Sequence, residues 1–373
     1  MIDALYVWLN EAFKIEDTPL RLFHFTTARM VLAFLTAFII TRIISPRIIA
    51  TLYRRGVRDR ARACTDGYAQ SKSGTPTMGG LILIAALAGS ALLWCNPTAP
   101  PIPLLLMTVL FFGGIGAIDD ILKIKNGNSD DGMSRNMKLF LQGGFGVLFA
   151  VLILSAGSSP FKPEVRTLLM LPGISEQLLK PPDLGILYGV VIVLAFLLIS
   201  NAINFADGLD GLAIVPACMT ALVFGVYAYM FSHAATSYIV TFPHIPWMNE
   251  VTIFSAAFLG AGIGFLWYNG YPAQIFMGDT GSMMIGGTLA AMAVLTKAEL
   301  LFLLAGGIFV VEFLSVFVQD YIGIRRIGRR LMFRAPFHHG FQHRGISETK
   351  VVLRFWIVSF VLAMLSIATL KLR

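Results

Sequence analysis

Residues 185–232 read GILYGVVIVLAFLLISNAINFADGLDGLAIVPACMTALVFGVYAYMFS, two uncharged apolar runs joined by a short polar segment. A helix needs about 20 predominantly apolar residues to cross the hydrocarbon core of a bilayer. Because each run is close to that length, the pattern predicts two membrane-spanning helices that are connected by one polar turn.

The rest of the chain repeats this pattern. Of its 373 residues, 56% are hydrophobic and 13% are charged, a mixture too apolar for a soluble globular protein. We find no removable signal peptide, inverted repeat, low-complexity linker or soluble segment. The sequence therefore predicts an all-α polytopic membrane protein of about ten transmembrane helices, with residues 1–373 forming a single domain. The predicted spans lie at about 22–44, 76–95, 102–118, 138–157, 185–201, 211–232, 251–268, 281–296, 300–319 and 351–370.

The basic residues predict the orientation of the spans. Lys and Arg concentrate in cytoplasmic loops, and most of the 29 Lys and Arg residues lie in the loops 45–74, 119–138 and 320–350. Five loops are therefore predicted to face the cytoplasm, and both termini to face away from it. In a soluble protein the formal charge of +8 would suggest nucleic acid. Here the topology accounts for the charge, so the predicted partner is the lipid bilayer and no nucleic acid.

Five carboxylates mark the predicted cytoplasmic ends of the spans: Asp119, Asp120, Asp207, Asp210 and Asp279. Charge at the edge of a bilayer is costly and usually functional. Acids from three loops on one face predict a cation site, and Mg²⁺ or Mn²⁺ is the expected ion because the ligands are all oxygen. Asp119 and Asp120 point about 100° apart on a helix, so we expect them to have different roles.

Two polar segments contain three of these acids. SNAINFADGLDGL places groups that can bind hydroxyls, a base edge or a hydrated metal at every third position: Asn201, Asn204, Asp207 and Asp210. Gly208 and Gly211 are expected to end the preceding helix. NGYPAQIFMGDTGS places Asp279 between glycines that let backbone amides approach an anion, and Phe276 where it could stack on a flat ring. Taken alone, each segment could instead be a polar helix cap or an ordinary turn.

Two further loops carry basic residues and histidines. KSGTPTMGG supplies Lys72 and Thr77 beside paired glycines, a combination suited to phosphate oxygens and to close helix packing. FRAPFHHGFQHR supplies His338, His339 and His343. The arginines of the same loop are more typical of contact with anionic lipid than of catalysis.

These residues are the ingredients of phosphoryl transfer, in which carboxylates hold a metal ion and cations neutralise developing charge. A transporter of nucleotide-sugars or lipid-linked sugars is the alternative from another functional class. A transporter needs polar residues near the membrane midplane, and Glu312 is the only acid well inside a predicted span. The one-sided clustering of the remaining acids favours an enzyme.

The motifs resemble the polyprenyl-phosphate N-acetylhexosamine-1-phosphate transferase family, the glycosyltransferase 4 family. The resemblance covers nearly the whole chain, through TPTMGG, IDD, NAINFADGLDGLA, FLWYNGYPAQIFMGDTGS, APFHH and VVLRFW. TPTMGG, the histidine loop and VVLRFW are typical of the phospho-N-acetylmuramoyl-pentapeptide transferase branch. The resemblance implies a homodimeric, multi-pass protein of the bacterial inner membrane, with periplasmic termini and a cytoplasmic active site.

The implied reaction joins UDP-N-acetylmuramoyl-pentapeptide and undecaprenyl phosphate to give lipid I and UMP, with Mg²⁺ as cofactor, in the first membrane step of peptidoglycan synthesis. A GlcNAc-1-phosphate transferase of the same family is the nearer alternative. We expect direct attack of the lipid phosphate on the sugar-linked phosphorus, and a two-step route through a phosphorylated aspartate stays open.

The resemblance also implies residue roles. Asp279 corresponds to a Mg²⁺ ligand, Asp119 and Asp120 to essential acids, of which Asp119 is the proposed base, and His338 to a functionally important histidine. The chain departs from the family pattern at Gly340, where a third consecutive histidine is usual. A substrate pocket is expected from ten residues, nine by correspondence and Asn201 by its place in the Asn/Asp segment: Lys72, Thr77, Lys123, Asn201, Asn204, Asp207, Asp210, Phe276, Gln319 and His339.

Overall fold

The computed structural model describes residues 2, 19–58, 74–127, 131–174, 179–240, 242–331 and 334–372. Within these ranges the longer helices are α1 Thr26–Arg54, α2 Gly80–Trp94, α3 Pro101–Asn126, α4 Arg135–Leu154, α5 Tyr188–Ala206, α6 Ile214–Ser232, α7 Met248–Asn269, α8 Gly278–Leu295, α9 Gly307–Phe317 and α10 Glu348–Ala368. Shorter helical segments are Pro19–His24, Pro163–Arg166, Gly185–Leu187, Ala234–Ile239, Phe302–Ala305, Phe337–His343 and Thr369–Leu372, and α9 continues into a π-helix at Val318–Ile327. The same ranges contain no β-strand, so the prediction of an all-α chain is confirmed.

Every predicted span overlaps one of these helices, but two helices extend well beyond the apolar run that predicts them. The run at 22–44 becomes α1, which ends at Arg54, and the run at 102–118 becomes α3, which ends at Asn126. Polar residues continue a helix until a residue stops it, and in α3 the stop is Gly127 in the left-handed conformation (φ 70°). Asp119 and Asp120 therefore lie on a helix and not in a loop.

Among the described residues, eight helices are long and apolar enough to cross a membrane, and α2 and α8 are not among them. The physical reason in α8 is its position: all residues from Thr280 to Leu295 are buried within the protein. Because α8 contacts neighbouring helices on all sides, it is built largely from small residues, and not from the large apolar side chains that face lipid.

Glycines bring the neighbours of α8 into backbone contact. A Cβ atom at Gly286 would overlap the backbone of Ser200 on α5, and one at Gly116 on α3 would overlap the carbonyl group of Asp279. Small residues allow this close approach between membrane helices. The first turn of α8 is therefore held against the last turns of α3.

The last residues of some helices and the first residues of others meet at one end of the bundle. Asn204 near the end of α5 contacts Asp279 at the start of α8, and Lys138 near the start of α4 contacts the same residue. The peptide N–H of Asp210 bonds to Glu348 at the start of α10. This end carries the candidate site.

The other end of the bundle contains a separate buried ion pair. Arg29 of α1 donates to the carboxylate of Glu250 at 2.8 Å and to the carbonyl oxygen of Trp94. The Glu250 carboxylate also accepts the peptide N–H of Asn96. A buried charge needs such partners, so this pair joins α1, α7 and the α2–α3 turn.

Candidate active site

Three carboxylates meet where α3 and α8 cross. One oxygen atom from each of Asp119, Asp120 and Asp279 lies within 4.8 Å of the others. Asp119 and Asp120 are buried, while the Asp279 side chain is partly exposed. Asp119 and Asp120 can both approach Asp279 although they are adjacent on α3. Asp120 contacts the backbone of Asp279, and Asp119 lies beside the Asp279 side chain.

Asp120 caps the first turn of α8 from a different helix. Its Oδ1 atom accepts the peptide N–H of Asp279 at 3.0 Å, and its Oδ2 atom accepts the peptide N–H (2.9 Å) and hydroxyl (2.6 Å) of Thr280. The first N–H groups of a helix have no intrahelical partner, and a carboxylate there is also favoured by the helix dipole. Both oxygens of Asp120 are thus used to hold Asp279 in position.

Asp119 faces two ammonium groups. Its Oδ1 atom accepts the peptide N–H of Met133, and its Oδ2 atom lies 2.7 Å from Nζ of Lys123 and 2.9 Å from Nζ of Lys138. Asp119 and Asp120 therefore have different partners, as their separation on the helix predicted.

Asp279 faces the same two lysines. Its Oδ2 atom lies 3.0 Å from Nζ of Lys123 and 2.7 Å from Nζ of Lys138, and its Oδ1 atom accepts a hydrogen bond from the Asn204 amide at 3.1 Å. The Asn204 amide also donates to the hydroxyl of Ser282 at 2.8 Å. Three carboxylates and two ammonium groups leave one uncompensated negative charge, which favours a divalent cation.

The residues present fit such an ion. Hard divalent cations such as Mg²⁺ take oxygen ligands. Since the oxygens of Asp120 are engaged by α8, Asp279 and Asp119 are the residues that would hold the ion. Lys123 and Lys138 are placed to balance the charge of a bound phosphate group.

Lys138 is the residue of this cluster that the sequence analysis missed. It was counted only as one of the loop residues that set the topology, although it lies in the first turns of α4. A lysine at the cytoplasmic border of a span, beside a predicted acid site, is the signal that could have identified it.

Replacing Lys138 by methionine tests its contribution. We expect kcat to fall on the order of 10²-fold, because preorganised cations stabilise charge that develops in the transition state. Lys125 is exposed near the end of α3 and supplies a matched control. Turnover close to wild type in Lys138→Met, or an equal loss in Lys125→Met, would contradict this role.

Asp207 and Asp210 lie outside the group of three carboxylates, so the convergence of five acids on one cation is corrected to three. Helix α5 ends at Ala206, and the chain then turns through Gly211 (φ 74°). This turn directs the buried Asp210 carboxylate to the peptide N–H of Ala273 at 3.0 Å. The helix thus ends before Gly208 and Gly211, although its C-cap is Asp207 and neither glycine occupies that position.

Asn201 lies one turn before Asn204 and contacts other partners. Its amide donates to Oε1 of Gln142 on α4 at 2.7 Å and to the carbonyl oxygen of Leu197. The structure thus places Asn204 at the carboxylate cluster and Asn201 at a contact between α4 and α5. A direct role of Asn201 in substrate binding stays a prediction.

The TPTMGG and NGYPAQIFMGDTGS segments lie side by side. The peptide N–H of Phe276 donates to the carbonyl oxygen of Pro76, and the Phe276 carbonyl oxygen accepts the peptide N–H of Gly79. A Cβ atom at Gly278 would lie 2.9 Å from Oγ1 of Thr77, so Thr77 adjoins the start of α8. Lys72 lies outside the described residues.

Gln319, His338 and His339 lie in or beside the segment that follows α9. Gln319 is buried at the start of the π-helix and accepts the peptide N–H of Leu331 at 3.2 Å. Nδ1 of His339 lies 3.0 Å from Oε1 of Gln342, and His338 is fully buried. The predicted roles of Gln319 and His339 in substrate binding and of His338 in catalysis stay predictions.

The chain is similar to known proteins of one family. Residues 102–297 match the model of glycosyl transferase family 4, and residues 72–84 match phospho-N-acetylmuramoyl-pentapeptide-transferase signature 1. Similar curated proteins are named phospho-N-acetylmuramoyl-pentapeptide-transferase. The one from Maridesulfovibrio salexigens is 39% identical over 95% of this chain and 96% of its own length. The one from Gluconacetobacter diazotrophicus is 41% identical over 99% and 100%, and the one from Nitratidesulfovibrio vulgaris is 40% identical over 96% and 97%.

Proposed function

The chain belongs to glycosyl transferase family 4 and, within it, to the phospho-N-acetylmuramoyl-pentapeptide transferases, and from this membership we propose that it makes lipid I. The reaction transfers phospho-N-acetylmuramoyl-pentapeptide from its UDP conjugate to undecaprenyl phosphate and releases UMP. The observation that carries the proposal is the cluster of Asp119, Asp279, Lys123 and Lys138 in a chain that matches these relatives over nearly its whole length.

The proposed mechanism is one displacement at phosphorus. An oxygen of the lipid phosphate attacks the sugar-linked phosphorus, the bond from that phosphorus to the bridging pyrophosphate oxygen breaks, and UMP leaves with the bond's electron pair. Mg²⁺, when bound by Asp279 and Asp119, supplies positive charge for the pyrophosphate. Lys123 and Lys138 neutralise charge on the transferred group, and Asp120 fixes the first turn of α8.

Two questions about chemical steps follow from this mechanism. Asp119 is proposed to accept any proton carried by the lipid phosphate, since its Oδ2 atom lies beside Lys123 and Lys138, where the phosphate group would bind. The route through a phosphorylated aspartate is the alternative mechanism. Trapping of a radiolabelled phospho-enzyme from the UDP-sugar in the absence of lipid acceptor would contradict direct displacement.

The remaining predicted residues are proposed to bind the nucleotide-sugar. Phe276 would stack on the uracil ring, and the partly exposed Asp207 adjoins the same end of the bundle. The other members of the proposed pocket are Lys72, Thr77, Asn201, Asn204, Asp210, Gln319 and His339.

The topology is part of the proposal. Eight candidate spans together with α2 and α8 would give ten transmembrane helices in a single membrane domain of the bacterial inner membrane. The distribution of Lys and Arg supports periplasmic termini and a cytoplasmic active site. A homodimer, which the resemblance to the family implies, is part of the same proposal.

One assay separates the proposed reaction from its alternatives. Purified protein is offered UDP-N-acetylmuramoyl-pentapeptide or UDP-GlcNAc, with and without polyprenyl phosphate, and UMP is measured. We expect UMP release with the muramoyl substrate that requires the lipid and is abolished by EDTA and restored by Mg²⁺. Preference for UDP-GlcNAc would assign the chain to the other branch, and sugar flux across vesicles without UMP release would indicate a transporter.

A further inference from the structure

Glu312 is a carboxylate inside a membrane helix that the proposed mechanism does not use. It lies in α9, within the candidate span Gly307–Ile327, and is fully buried. Acidic residues within membrane helices are costly, rare and usually functional, and they need identifiable partners. The partners of Glu312 therefore indicate its role.

The first partners are backbone amides of the histidine loop. Oε2 of Glu312 accepts the peptide N–H of Phe337 at 2.7 Å, and Oε1 accepts the peptide N–H of His338 at 3.1 Å. These N–H groups begin the short helix Phe337–His343 and have no partner within it. Glu312 thus anchors the histidine loop to the membrane-embedded helix.

The third partner is the imidazole ring of His338. Its Nδ1 atom lies 3.3 Å from Oε1 of Glu312, and both side chains are fully buried. The opposite edge of the ring faces the turn after α5, because a Cβ atom at Gly208 would overlap Nε2 of His338. The ring is therefore held between Glu312 and the backbone of the turn 207–213.

We propose that Glu312 is a positioning residue that acts through His338 on the turn 207–213. This inference rests on the proposed function, in which Asp207 and Asp210 of that turn contribute to binding of the nucleotide-sugar. Because the His338 ring is closed off from solvent on both edges, the pair gives His338 a supporting role in place of the predicted catalytic one. A charge inside α9 thereby determines where part of the substrate pocket lies.

A double-mutant cycle tests the coupling. We expect kcat/KM for the UDP-sugar to fall on the order of 10²-fold in Glu312→Ala, since a displacement of about 1 Å costs that much. His338→Ala and the double variant should show nearly the same loss, because residues that act as a unit are strongly non-additive. The fall in kcat/KM should come more from a rise in KM than from a fall in kcat. Losses that multiply in the double variant would overturn the proposal.

A second comparison separates positioning by His338 from catalysis. The Asn side chain places an N–H group near the position of Nδ1 and has nothing at Nε2, so His338→Asn keeps a polar group beside Glu312. The Gln side chain places its amide near Nε2 and keeps less of that contact. We expect His338→Asn to retain much more activity than His338→Ala and His338→Gln. Equal inactivity of all three variants would assign the histidine to catalysis and overturn the proposal.

Gly208 supplies an independent check of the same contact. Gly208→Ala should reduce kcat/KM in the wild-type background, where the added methyl group would overlap the buried imidazole ring of His338. It should cost little more in the His338→Ala background, where the ring is gone. An equal effect in both backgrounds would contradict the proposed contact.

The control is Glu250→Gln at the opposite end of the bundle. It also removes a buried carboxylate charge, so it should lower the thermal unfolding midpoint while kcat/KM stays near wild type. If Glu312→Ala likewise lowers only the unfolding midpoint, Glu312 is merely structural and the proposal fails.

One readout needs no turnover and so separates this inference from the proposed function. Amide hydrogen exchange of the turn 207–213 should rise in Glu312→Ala and His338→Ala, and not in Glu250→Gln. Unchanged exchange in this turn would overturn the inference, whereas failure of the wild-type protein to release UMP would contradict the proposed function alone.

Discussion

Replacing Asp279 by alanine is expected to lower kcat/KM about 10³-fold or more. The change removes an oxygen from the ion site, and an ion that stabilises transition-state charge contributes several kcal/mol. It also removes one of the two carboxylates that Lys123 and Lys138 share, and leaves them only Asp119. The measurement is UMP release at saturating lipid across a Mg²⁺ titration.

A companion variant and a control make this result specific. Asp279→Asn keeps the shape of the side chain and its contact with Asn204 but removes the charge, so we expect a loss nearly as large. Asp183 is exposed and bonded to the peptide N–H of Gly185, far along the chain from the cluster. Asp183→Asn should leave activity and Mg²⁺ dependence unchanged. Substantial turnover by Asp279→Ala would refute the proposed site.

Replacing Gly116 by alanine is expected to lower both the activity and the stability of the protein. The added methyl group would overlap the carbonyl group of Asp279, and neither backbone can move aside without separating α3 from α8. Overpacking of this kind costs about 1–3 kcal/mol of folding free energy. Because the same displacement moves Asp279 away from Asp119, we expect kcat to fall on the order of 10²-fold.

The same helix offers a matched control for Gly116. A Cβ atom at Gly114 would meet no atom within 4 Å. Gly114→Ala should therefore be neutral or should stabilise α3 by up to about 1 kcal/mol, since alanine favours the helix over glycine. Unfolding midpoints and UMP release of the two variants are compared side by side. Equal behaviour of the two variants would show that the α3–α8 contact does not determine the site geometry.

The apolar runs predicted which parts of the chain are helical, but not where the helices end. The run at 102–118 stops at the first acid, whereas α3 continues through Asp119, Asp120 and Lys123 to Asn126. The length of an apolar run indicates the part of a helix that faces lipid. Polar residues that face other helices can continue the same helix, but they do not lengthen the apolar run. For the same reason α8, which the run at 281–296 predicted, is less apolar than the candidate spans, although it is buried from Thr280 to Leu295.

The sequence predicted all three acids at the α3–α8 crossing, but it predicted only some of the residues that contact them. Asp119, Asp120 and Asp279 were expected together because all three lie at ends of spans that face the same side. Lys138 was missed because a basic residue near a span also serves topology. Asp210 was counted among the acids of the cation site but lies outside the group of three, and its predicted role in substrate binding stays a prediction.

The sequence by itself determined the membrane class, the helical content, the family and the face on which the acids gather, because each follows from composition, run length or local motifs. Only the tertiary structure decided that both oxygens of Asp120 cap α8, which lysines balance Asp279, and that Glu312 bonds to the histidine loop. These contacts join residues far apart in the chain, and each depends on how closely the helices approach. That approach is decided by the packing of glycines and small side chains within the bundle, which no single segment encodes.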